Sequence, residues 1–163
     1  VPDLPLSDNA TLTAINTQPI KHYGFMRHGA IQAFTRFCIE TYQVVCGGPQ
    51  APASSLSGGN LQKFVVGREL LQSPQLLVCA QPTWGVDVGA AAFIRQKLLD
   101  LRSDQTAIVV ISEEIDELFE ISDRIAVIAD GKLSPIRPVA DSSNPYVGLW
   151  MSGLWDAAEA EHA

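Results

Sequence analysis

The strongest constraint on the fold is the pair of unbroken apolar runs in the second half of the chain. Leu76 to Ala80 is one, and Thr106 to Ile111, rich in β-branched residues, is the other; a helical stretch from Gly89 to Arg102 lies between them. Asn60 to Gln72 before this block and Glu113 to Glu120 after it also carry helical spacing. A strand with one wet face alternates apolar and polar residues, whereas a run without polar interruption belongs to a strand covered on both sides. Short apolar strands alternating with helices therefore predict an α/β domain with a parallel sheet and helices on both faces. Ile125 to Ala129 is a further apolar run, and Asp130-Gly131 is a hairpin-type turn into Lys132 and Leu133.

The flanks read differently. Val1 to Asn16 is polar at its start, with Asp3, Pro5, Ser7, Asp8 and Asn9 as turn and cap formers. From His28 to Val45, Ile31, Phe34, Phe37, Cys38, Tyr42 and Val45 recur at helical spacing. Gly47-Gly48-Pro49-Gln50-Ala51-Pro52 then marks a break between two pieces. Three segments are expected: a helical piece over 1–52, the α/β part over 53–134, and a tail over 135–163. The tail holds Pro135, Pro138 and Pro145, and Tyr146 to Ala160 reads as an appended helix that packs weakly or against a partner.

Composition removes several functions. With 11 basic and 18 acidic side chains, a net charge of −7 argues against a basic patch that would hold nucleic acid or an anionic bilayer. No apolar run approaches the roughly 18 residues of a membrane span, and the opening Val1-Pro2-Asp3 is unlike a signal peptide. Cys38, Cys46 and Cys79 form no C-x-x-C pair and read as reduced thiols of a cytoplasmic protein. His22, His28 and His162 lack ligand spacing, so no metal site is expected.

The segment with chemistry is Leu56-Ser57-Gly58-Gly59-Asn60-Leu61-Gln62-Lys63. Two glycines behind a serine, opening a helix, allow backbone N–H groups to approach a phosphate at the electropositive end of the helix, with Ser57 adding a hydroxyl. Alone, such a turn is an ordinary helix cap. Its context is Leu76 to Ala80, then Gln81-Pro82-Thr83-Trp84-Gly85-Val86-Asp87, and later Ser112-Glu113-Glu114 and Ser122-Asp123-Arg124-Ile125.

Together these residues resemble the C-terminal part of an ATP-binding-cassette (ABC) ATPase, a P-loop NTPase-like α/β fold. The likeness is greatest to the second cassette of the fused, two-cassette ATPases of bacterial simple-sugar and nucleoside importers. Leu56 to Lys63 is similar to the family signature LSGGQ, with Asn60 for Gln. Leu76 to Ala80 is similar to the Walker B strand, Pro82 to Asp87 to the D-loop, and Ser122 to Val127 to the strand after the switch loop. Val1 to Asn9 resembles part of the helical subdomain. The resemblance runs from the start to about Leu133 and implies a partial cassette: a helical subdomain plus the C-terminal half of the sheet.

It also implies roles. Ser57, Gly58, Gly59 and Asn60 would serve ATP held by a partner cassette, and Asp87 would face that partner. Gln81 stands at the position of the catalytic glutamate, and Glu113 at that of the switch-loop histidine. Where the family has Asp for Mg²⁺, this chain has Ala80, which offers no ligand. Gln81 can orient a water but cannot take its proton, and Glu113 with Glu114 would repel a γ-phosphate. No G-x-x-x-x-G-K-[ST] phosphate loop occurs, and the chain starts at Val1; a partial chain is the expectation. The partners implied are a second cassette, membrane permease subunits and, indirectly, an extracytoplasmic binding protein, with the chain peripheral on the inner face of the membrane. A stand-alone, catalytically inactive nucleotide-sensing or assembly module is the alternative. A chromosome-maintenance ABC ATPase is disfavoured, because no heptads flank the signature.

Overall fold

The computed structural model describes residues 1–154. The chain divides into two compact units, Val1–Ile111 and Ser112 onward, which are taken in turn.

The first unit opens with helix α1 (Leu6–Ala14), whose Leu6, Ala10 and Ala14 are buried. Buried Asn9 anchors its start, its Nδ2 donating to the carbonyls of Val1 at 2.9 Å and Leu4 at 3.0 Å. A two-residue hairpin follows, β1 (Lys21–His22) against β2 (Phe25–Met26), and then helix α2 (His28–Thr41). Helix α3 (Gly58–Leu70) leads to strand β3 (Leu76–Ala80), helix α4 (Val88–Ser103) and strand β4 (Ala107–Ile111). β3 and β4 are parallel, with Leu76 opposite Ala107 and Ala80 opposite Ile111, so β3–α4–β4 is the expected strand–helix–strand unit.

Two expectations change here. The break at Gly47 to Pro52 is not a boundary. Leu6 N–H donates to Ala51 O at 3.0 Å, Ser7 N–H to Pro49 O at 2.9 Å, and Ala53 N–H to Leu4 O at 3.1 Å, stitching the segment to the start of α1. One core then runs across it, from Leu6 and Ala10 through Cys38, Tyr42 and Val44 to Phe64 and Leu70. Nor, among the described residues of this unit, is the sheet covered on both faces. Leu77 packs against that core, but Leu76, Val78, Val109 and Ile111 are 58%, 59%, 47% and 49% exposed. The apolar runs do form strands, but among the described residues one face of the two-stranded sheet is open.

The second unit holds helix α5 (Ile115–Ile121) and four two-residue strands, β5 (Arg124–Ile125), β6 (Ile128–Ala129), β7 (Lys132–Leu133) and β8 (Arg137–Pro138), followed by helix α6 (Asn144–Met151). Residues 125–129 are not one strand. β5 pairs antiparallel with β8 and β6 with β7, while Val127 between them exchanges hydrogen bonds with Ser134. The turn at Asp130-Gly131 is as expected, both residues having positive φ, 50° and 72°. The tail helix is shorter than Tyr146 to Ala160 and is not loosely appended: Tyr146, Val147 and fully buried Trp150 form the core of this unit with Ile125 and Val127. Trp155 and His162 lie outside the described residues. Among the described residues no helix is long and apolar enough to cross a membrane.

Candidate functional site

Gly58 to Asn60 form the first turn of α3, with Ser57 as the N-cap residue. The glycines are there for contact. A Cβ on Gly58 would stand 3.2 Å from the Gly85 carbonyl oxygen, and one on buried Gly59 would stand 3.1 Å from Ala90 Cβ and 3.2 Å from Asp87 Oδ2. At Gly59 the backbone of α3 thus meets the side chains of Asp87 and Ala90 at the start of α4, and at Gly58 it meets the backbone of the loop before α4. Asp87 caps α4 by accepting from Ala90 N–H at 2.9 Å. Trp84, on the same loop, is 77% exposed, and Val88 is 85% exposed.

Ser57 sits at a cap position without acting as a cap: its side chain accepts from no N–H of the helix. Its Oγ instead accepts from Asn60 Nδ2 at 2.9 Å, while Asn60 Oδ1 accepts from Val45 N–H at 2.8 Å. The first N–H groups of α3 therefore have no side-chain partner, and an exposed hydroxyl stands beside them. An anionic phosphate oxygen fits this arrangement. Asn60 was expected among the ATP contacts, yet its oxygen and one N–H are engaged inside the chain. Val45 was missed as a partner, since fifteen residues separate it from Asn60. The spacing of Ser57 and Asn60, as in a capping box, was the available clue to their own pairing.

Gln81 follows the last residue of β3 and has a positive φ of 50°. Its N–H donates to Ile111 O at 2.7 Å, and its carbonyl accepts from Trp84 N–H at 3.2 Å and from Gln62 Nε2 at 3.3 Å. Gln62, which sequence reasoning passed over, thereby ties the signature helix to the end of the strand. No fit to Mg²⁺ exists here. Ala80 carries no side-chain ligand atom where a carboxylate would hold Mg²⁺. Glu113 is exposed and belongs to the second unit, where neighbouring Ser112 Oγ donates to Glu117 Oε2 at 3.0 Å and accepts from Glu114 N–H at 3.1 Å. A cleft of about 590 Å³ lined by Tyr42, Lys97, Asp100 and Thr106 contains none of the expected site residues.

The fold has parallels among solved structures. A dimeric ATP-binding cassette in a post-hydrolysis state, bound to ADP and Pi, superimposes with a TM-score of 0.70 at 24% identity, over 85% of this chain and 58% of that one. A second dimeric structure described as a bacterial ABC transporter cassette gives 0.70 at 23%, with the same coverage. The chain folds as part of an ABC cassette. By sequence, this partial cassette is 38% identical over 151 residues to the nucleoside import ATP-binding protein NupA of Lactococcus lactis, covering 93% of this chain and 30% of that protein. It is 37% identical over 157 residues to the glucose import ATP-binding protein TsgD13 of Haloferax volcanii, covering 95% and 28%. The cassette part described here thus spans about 30% of the length of the curated relatives it matches. No family model matches the sequence.

Proposed function

We propose that this chain contributes the signature turn, Ser57 to Asn60, to ATP held by a partner cassette in an importer of simple sugars or nucleosides. Its own Walker B end, Ala80 and Gln81, is degenerate, so hydrolysis takes place at the site built around the partner's phosphate loop. The observation that carries this reading is the uncapped start of α3 with an exposed Ser57 hydroxyl beside it. The printed functions of the relatives, nucleoside and glucose import, give the substrate class. On this reading the chain is the C-terminal part of a fused second cassette, cytoplasmic and peripheral on the inner face of the membrane. It docks on permease subunits and is fed indirectly by an extracytoplasmic binding protein. The stand-alone sensing or assembly module is not favoured by any observation.

The test is ATP turnover by the assembled transporter carrying Ser57→Ala. Loss of a phosphate donor should lower turnover at least about tenfold with the urea midpoint unchanged. Turnover equal to that of the unmodified assembly would sink the proposal. Gly59→Asp is a poor substitute, since any side chain at Gly59 meets Ala90 and Asp87 before it meets a ligand.

A further inference from the structure

The carboxamide of Asn60 does two things at once, and neither is a ligand contact. It receives the Val45 N–H just beyond the end of α2, and it donates to Ser57 Oγ. A hydroxyl that accepts one hydrogen bond keeps its own proton for another partner. With no helix N–H bonded to it, Ser57 Oγ is held by Asn60 on one side and has its O–H proton free to donate. We propose that Asn60 is a positioning residue: it fixes Ser57 as a donor and fastens the signature turn to the segment following α2. The inference rests on the reading of Ser57 as a contact to ATP, and adds how that contact is aimed.

The chemistry separates Asn60 from its substitutes. Asn60→Asp keeps an acceptor for Val45 but has no N–H for Ser57, so the Ser57 hydroxyl would turn and donate to the new carboxylate. Asn60→Ala removes both bonds. A displacement of Val45 from the turn would follow only in the second case.

Two measurements test this. In the assembled ATPase, Asn60→Ala should lower turnover about fivefold when Ser57 is present and by less than about twofold when it is combined with Ser57→Ala, because a residue acting through Ser57 has nothing left to aim. In the full chain, amide exchange at Val45 should accelerate at least about tenfold in Asn60→Ala, and stay near that of the unmodified chain in Asn60→Asp and Ser57→Ala. Equal losses from Asn60→Ala in both backgrounds, or a Val45 amide indifferent to Asn60→Ala, would overturn the positioning role. If Ser57→Ala itself leaves turnover intact, the signature reading fails instead. The two failures are therefore distinct.

Discussion

Gly67→Ala is a substitution in which two opposing effects can be weighed from geometry. Gly67 lies inside α3, where alanine is better by about 0.8–1.0 kcal/mol on helix propensity alone. A Cβ at this position, however, would stand 2.5 Å from both Cγ and Cδ2 of Tyr42 and 3.1 Å from its Cβ. Carbon atoms rest about 3.5–4.0 Å apart, so ring or helix must move by about 1 Å. Tyr42 is 6% exposed and packs in the core beside Leu70, with the Phe93 ring edge-on at 6.5 Å, so little room exists for that movement. Overpacking of this kind costs about 1–3 kcal/mol, and a full-atom clash with a ring belongs at the upper end. The net expectation is a loss of about 1–2 kcal/mol, read as a lower urea midpoint at unchanged slope by far-UV circular dichroism of the full chain. The same substitution made in Tyr42→Ala should reverse sign and stabilise by up to about 1 kcal/mol, since only the propensity gain remains. A gain in the unmodified background, or an undiminished loss in Tyr42→Ala, would refute the argument.

Two further outcomes follow from groups already described. Burial pushes the Cys38 thiol up from 9.0 to about 12, and burial with the neighbouring Cys38 pushes the Tyr42 phenol up from 10.0 to about 12. Above about pH 9 the unfolded chain releases protons that the native chain keeps, so the urea midpoint should fall progressively from there toward pH 12; a Cys38→Ala chain losing stability just as steeply would mean the thiol is not responsible. Asp87→Ala should cost about 1 kcal/mol through loss of the cap on α4, and Asp87→Asn should retain most of it; equal losses in the same urea assay would show that the charge, not the hydrogen bond, was what mattered.

The parallel pair β3 and β4 was legible because unbroken apolar runs of five or six residues, the second rich in β-branched residues, around a helix have few other solutions. The turn at Ser57 to Asn60 and the residue Asp87 were each singled out by motif, but not their proximity: the Gly85 carbonyl presses on Gly58, and the Ala90 and Asp87 side chains press on Gly59. What escaped was long-range. Pro49 and Ala51 look like a linker, yet their carbonyls bind residues more than forty positions earlier. The hairpin at 21–26 went unseen because its turn uses Tyr23, at φ 47°, beside Gly24, and tyrosine is an uncommon choice for a left-handed position. In the tail, the helical pattern around Trp150 was visible, but the strand residues Ile125 and Val127 that bury it could not be read from the tail itself.

The bare face formed by Leu76, Val78, Val109 and Ile111 governs how this stretch of chain, taken alone, behaves as a material. A strip of branched side chains in contact with water, on a sheet of only two strands whose outer edges have no partner among the described residues, is a template for lateral growth. Against it stands the mutual repulsion of molecules bearing −7 each. That repulsion weakens as salt is added, because the screening length shrinks from about 10 Å at 0.1 M toward 3 Å at 1 M, while the attraction between apolar faces does not. Colloidal stability of this stretch taken alone is thus an ionic-strength problem: dilute buffer keeps molecules apart, and concentrated salt lets the sheets find one another.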